Sequence, residues 1–364
     1  MNRRDALKAI GVSAAAAAFP VPGLQAQASG PMFPKGAIIR TLLRDMSPEE
    51  LAGGATLFHE HMQLAPDFMP RFLAATAAVR AANGLPAAPA RGGGAGRGPA
   101  APTGPDIMRD ADLMAAEVKK AAEDGHLACI VDGGHADMGR DINFLRQVSI
   151  KSGVPIVAGG GFYNQPFYPK EISTMSEDQI VKALVKQADD DTLGAFGEIG
   201  SWDEITADER KVFRAVGRAH VETNLPIFTH TGIPGKSALE QLDILEDNGV
   251  KPERVVIGHL GNLVDPQVYM HKQICRRGAF VGFDRQGTNG ADAPVVPLVM
   301  ALIEAGYADH LMFSSDASSG YAKTMTVFVP KVKAAGASDE IIHKITVDNP
   351  RRFLAFVPKR PRKK

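Results

Sequence analysis

The chain has 364 residues, with 41 Lys+Arg against 41 Asp+Glu, 10 His and 2 Cys. Hydrophobic residues at 45% and charged residues at 23% are ordinary values for a globular chain long enough to bury a full core. Zero net charge leaves no electrostatic footprint for nucleic acid, and two cysteines build neither a disulfide scaffold nor a Cys-rich zinc module.

Residues 1–28 read as an export signal. Arg3, Arg4 and Lys8 form a positive start, 10–19 is an Ala-rich apolar run, and Ala26-Gln27-Ala28 offers a cleavage site. The run Arg3-Arg4-Asp5-Ala6-Leu7-Lys8 looks like a twin-arginine signal, which implies periplasmic export of a folded protein. A basic amphipathic helix is the plainer alternative. The apolar run is too short for a stable membrane span. The signal carries +2 and the tail 359–364 carries +5, so the body between them is −7. The tail is expected to be a solvated basic run.

Eight short apolar runs follow, at 56–61, 128–132, 155–159, 195–199, 226–230, 255–259, 280–283 and 311–315. Segments with helical spacing separate them: 107–123, 140–152, 176–189, 207–223, 237–248, 266–276, 294–305 and 321–335. Gly125, Gly153, Gly249, Gly278 and Gly306 supply stop signals. Strand–helix alternation implies a parallel sheet, and eight units fit a (β/α)8 TIM barrel. A doubly wound sheet is the rival, but Gly159-Gly160-Gly161 lacks dinucleotide-loop spacing. Residues 86–105 hold 5 Pro, 6 Gly and 6 Ala, a composition unable to offset its ordering entropy. They read as a flexible insertion after the first strand, on the side where a barrel carries its active site. A lid or a spacer is the role expected there.

Acid and imidazole groups gather at the strand ends. His59 and His61 close the first strand, Glu198 the fourth, His230 the fifth and His259 the sixth, while Asp316 follows the eighth. In a barrel these ends form the active face. The i, i+2 spacing of His59 and His61 puts both on one side of a strand. Four imidazoles and two carboxylates exceed one tetrahedral site and suit two divalent ions. Zinc is favoured, with manganese, cobalt or iron as alternatives. Taken singly, His230 or His259 reads as a core histidine and Asp316 as a helix cap.

These residues fall within an ordered series. It runs Thr56-Leu57-Phe58-His59-Glu60-His61, Gly139-Arg140-Asp141, Gly161-Phe162-Tyr163, Gly197-Glu198-Ile199-Gly200 and Thr229-His230-Thr231-Gly232. Ile257-Gly258-His259, Gly282-Phe283-Asp284-Arg285, Ser314-Ser315-Asp316 and Asn349-Pro350-Arg351 continue it. The series resembles the phosphotriesterase family of the amidohydrolase superfamily, from about Thr56 to Leu354. The resemblance implies that His59, His61 and Asp316 hold one ion, that His230 and His259 hold the other, and that Glu198 bridges them. Much of the family carries a carboxylated lysine at the bridging position. Lys186 and Lys211 fall in helical segments and do not replace it.

The activity implied is hydrolysis of an ester-type bond by a water activated between two ions, with Asp316 accepting its proton. Tyr163 and Arg285 resemble positions in family lactonases, so a lactone or carboxyl ester is favoured over a phosphoester. Trp202 is a third candidate for substrate contact, with plain packing as the alternative. Arg285 is open to pairing with Asp284 or a loop acid. His135 and Asp137 read as surface groups, with a role supporting the site residues from behind as the alternative. The expected partner is a small-molecule ester, and a homodimer is compatible with the sequence. Rival readings are an amidase or deaminase of the wider superfamily and a non-catalytic periplasmic metal- or ligand-binding barrel.

Overall fold

Eight strands carry the architecture. They are β1 (Ala55–Glu60), β2 (Leu127–Asp132), β3 (Ile156–Ala158), β4 (Phe196–Ser201), β5 (Ile227–Thr231), β6 (Val255–Ile257), β7 (Phe280–Phe283) and β8 (Leu311–Phe313). The computed structural model describes residues 30–82, 84, 106–232, 235–263, 265, 267–287 and 292–362. The signal at 1–28 and the insertion at 86–105 lie outside the described residues. All strand pairs are parallel, in the orders β1-β2-β3 and β4-β5-β6-β7-β8. Hydrogen bonds cross both seams. Gly194 N donates to Ala158 O at 3.0 Å and Gly197 N to Gly160 O at 2.8 Å on one side; His61 N donates to Ala317 O at 2.9 Å on the other. The fold is the expected TIM barrel.

The helices α1 (Phe68–Ala82), α2 (Ala111–Gly125), α3 (Ile142–Ser152), α4 (Glu177–Asp190) and α5 (Ala207–Thr223) come first in chain order. Then come α6 (Ala238–Asp247), α7 (Tyr269–Arg277), α8 (Val295–Glu304) and α9 (Val329–Ala334). Side chains cap several starts. Asp110 accepts from Asp112 N and Leu113 N, and Ser176 and Thr206 form capping boxes with Gln179 and Glu209. Helices α2 to α9 match the helical segments read from sequence. Helix α1 was not among them. It is Ala-rich without an apolar stripe, and Phe68 is its one buried residue.

Two buried layers follow from strand alternation. Phe58, Val131, Val157, Phe228, Val256, Phe280 and Met312 pack together inside the barrel. Leu57, Ile130, Ile156, Phe196, Ile227, Ile257 and Phe313 face the helices. The short antiparallel pair Ile39–Arg40 and Asp45–Met46 joins Leu51, Phe353 and Leu354 to plug the inner layer. Cys129 and Cys275 are both buried and free.

The tail departs from the solvated run expected of it. Lys359 Nζ donates to Val221 O at 2.6 Å, Arg360 pairs with Asp189 at 2.8 Å, and Arg362 reaches Asp45 at 3.1 Å and the Thr41 carbonyl at 2.8 Å. The acidic body supplies the partners that composition alone did not place. Among the described residues, no helix is long and apolar enough to cross a membrane.

Candidate active site

Two irregular strands aim the site. The β1–β2 register shifts between Leu57 and Glu60, and the β4–β5 register shifts between Phe196 and Ile199. Such irregularities turn a side chain off strict alternation. Phe58 stays in the inner layer, and His59 comes into contact with the inner Phe228, ring centroids 5.3 Å apart. Any side chain at Gly133 would meet the His59 ring at 2.9 Å, so a glycine there leaves room for the imidazole.

Glu198 sits at the centre. Its Oε1 lies 2.5 Å from His230 Nδ1 and 2.8 Å from His259 Nε2. Its Oε2 lies 3.4 Å from the Nε2 atoms of both His59 and His61. One carboxylate thus offers one oxygen to each histidine pair. Asp316 Oδ1 is 3.1 Å from His61 Nε2 and 3.8 Å from His59 Nε2. The six residues that the sequence singled out therefore converge. Donor atoms of His59, His61 and Asp316, and of His59, Glu198 and His259, fall into two groups tight enough to hold an ion. His59 Nε2 is buried and makes no hydrogen bond, as a donor atom awaiting a cation would. The donor set therefore fits divalent metal.

The electrostatics follow from this crowding. Burial pushes Glu198 up, but the charge of His59 and the hydrogen bonds of His230 and His259 hold it well below the usual carboxylate range. Burial likewise opposes charge on Asp316, and Arg285 and His61 hold that carboxyl ionised. Burial works against His61 as a cation, yet Asp316 and Glu198 raise it to about 10. Burial lowers His230 to about 4, outweighing Glu198. Asp316 and His259 both have left-handed backbone, φ 48° and 62°. Residues with side chains avoid that region, and functional sites are where it recurs.

A family model for the phosphotriesterase family matches residues 40–354. This chain belongs to the phosphotriesterase family. It is 33% identical to the aryldialkylphosphatase of Saccharolobus solfataricus, over 66% of this chain and 84% of that one. It is 26% identical to the N-acetyltaurine hydrolase of Danio rerio, over 62% of this chain and 73% of that one. The crystal structure of a lactonase from Listeria monocytogenes superposes with TM-score 0.69 at 26% identity, over 87% of this chain and 98% of that one.

This phosphotriesterase-family site has one group that sequence reasoning had considered only as a partner for Arg285. Asp284 is fully buried, and its two oxygens accept from His59 Nδ1 at 2.9 Å and His259 Nδ1 at 2.8 Å. It orients one histidine of each pair, so that both Nε2 atoms face Glu198. Arg285 pairs instead with Asp316, Nε to Oδ2 at 2.8 Å. A signal was present in the Gly282-Phe283-Asp284-Arg285 run, but which acid each group meets is a tertiary fact.

A cavity of about 400 Å³ opens on the site. Its polar side holds His61, Glu198, Arg285, Asp316, Ser318 and Ser319. Its apolar side holds Leu64, Phe68, Met69, Phe72, Met108 and Met138. Tyr163 lines it too, with its hydroxyl 3.0 Å from His230 Nδ1. Trp202 does not line it. It lies behind Phe72, their rings 6.2 Å apart, because α1 takes the place the sequence suggested for Trp202. His135 and Asp137 are not surface groups; both side chains are buried, and Asp137 Oδ2 accepts from Tyr163 N at 2.9 Å.

Proposed function

We propose that this chain is an exported, zinc-dependent hydrolase with two metal ions, acting on an ester-type bond, a lactone or carboxyl ester in preference to a phosphoester. The observation that carries the reading is the placement of Glu198, one oxygen toward His230 and His259 and the other toward His59 and His61. His59, His61 and Asp316 would hold one ion and His230 and His259 the second, with Glu198 between them. Bound divalent metal supplies water activation and polarisation of the substrate's carbonyl or phosphoryl oxygen.

The chain's own residues do the rest. Asp316 is the least buried of the six, with 14% of its side chain exposed, and its carboxylate can take a proton from the cavity side. Arg285 keeps that carboxylate ionised and meets a substrate carbonyl or ring oxygen from the polar wall. Tyr163 sets the position of His230 and narrows the apolar side. The lactonase neighbour supports the ester reading, and the relative named N-acetyltaurine hydrolase supports an amide as second reading.

The test is purification with zinc, manganese or cobalt, followed by assay against lactones, aryl esters, phosphotriesters and N-acyl amides. Metal-dependent turnover fastest on a lactone or carboxyl ester is expected. A fully metal-loaded protein that turns over none of the panel would instead be a binding protein. Fastest turnover of the amide would replace the ester reading with the second.

A further inference from the structure

Glu60 stands between two proposed metal ligands in sequence, yet its carboxylate serves a different segment. It is fully buried. Oε1 accepts from Ser314 Oγ at 2.8 Å and Ser315 N at 2.9 Å. Oε2 accepts from Ala317 N at 3.0 Å, and Ser315 Oγ lies 2.8 Å from it and 2.9 Å from Oε1. The two backbone donors flank Asp316 on either side. Asp316 N donates to His59 O at 3.2 Å, and His61 N donates to Ala317 O at 2.9 Å. The segment after β8 is thus stitched to β1 on both sides of Asp316, whose backbone is left-handed.

A carboxylate suits this place because it only accepts, and the fixed backbone groups facing it only donate. An amide there would set an NH2 against a backbone N–H. We propose that Glu60 is the positioning residue of Asp316. It holds the 314–317 backbone in the conformation that keeps Asp316 Oδ1 toward His61 and Oδ2 toward Arg285. The kinetic consequence rests on the hydrolase reading above; the conformational one does not.

The test uses the Glu60→Gln and Ser315→Ala variants of the full chain. Amide hydrogen exchange is followed at 314–317 in metal-free protein, and metal content, kcat and KM in zinc-loaded protein. In Glu60→Gln, exchange at Ser315 and Ala317 should quicken at least about tenfold while amides of β5 and β6 stay protected. The value of kcat should fall roughly tenfold to a hundredfold at full metal content, with KM changed less than about threefold. Ser315→Ala, which keeps both backbone donors, should show the same changes in smaller measure. Wild-type exchange at 314–317 in folded Glu60→Gln overturns the proposal, as does loss of activity that only follows metal loss. If Glu60→Gln does not fold, Ser315→Ala decides: local quickening at 314–317 supports the role, and unchanged exchange overturns it. If the wild-type protein turns over no substrate, the hydrolase reading fails and the exchange measurement still decides the role of Glu60.

Discussion

Arg285 Nε donates to Asp316 Oδ2 at 2.8 Å, while the other oxygen of that carboxylate lies 3.1 Å from His61 Nε2. The proposed proton acceptor is therefore held between a permanent cation and a histidine proposed as a metal ligand. Removing the guanidinium should let the Asp316 carboxyl rise toward its usual range. In Arg285→Ala the acid limb of the kcat/KM pH profile should move to higher pH, and kcat/KM should drop roughly tenfold or more. An acid limb in the same place as wild type would exclude this pairing as the cause of Asp316 ionisation.

Asp284 holds the Nδ1 side of both His59 and His259. Asp284→Asn keeps the volume and removes an acceptor from one of the two imidazoles. Zinc affinity should weaken roughly tenfold to a hundredfold, read by competition with a chromogenic chelator. Affinity equal to wild type would mean that the two imidazoles orient without it.

The shared carboxylate gives a stoichiometric prediction. Glu198→Ala and His230→Ala should each lower bound metal below two ions per chain, measured by elemental analysis after desalting. Two ions retained in both variants would contradict the ligand assignment.

Phe72 separates the cavity from Trp202 and meets His230 edge-on at 6.1 Å. Phe72→Ala should open the apolar wall. KM for esters with large apolar groups should change roughly fivefold to tenfold, and KM for the smallest esters little. Parallel changes across a substrate series would place Phe72 outside specificity.

Burial pushes His220 down to about 4, although its Nδ1 donates to Leu225 O at 2.6 Å. The folded value lies below the unfolded one of about 6.5, so acid favours the unfolded chain. The stability this group contributes is full above about pH 6.5 and is lost as pH falls toward 4. The difference is roughly 3 kcal/mol. Urea midpoints between pH 7 and 4 should fall less steeply in His220→Gln than in wild type. Identical slopes would remove His220 from the account.

The sequence by itself determined the class of fold and the donor set. Short apolar runs, separated by helical spacing and glycine stops, encode a barrel because run length and helical period are both local properties of the chain. His59, His61, Glu198, His230, His259 and Asp316 were legible because a barrel delivers every strand end to one face. Helix α1 was not legible, since its Ala-rich sequence has no apolar stripe and it docks mainly through Phe68, Phe72 and Arg71, the last stacked on Phe167. The tertiary structure alone decided that Arg285 meets Asp316 rather than Asp284, and that Asp284 serves two histidines from separate strands. It also decided that Glu60, two hundred and more residues from Ser314 and Ala317, receives their donors. Hydrogen-bond partners distant in the chain are chosen by three-dimensional placement, which no local period records.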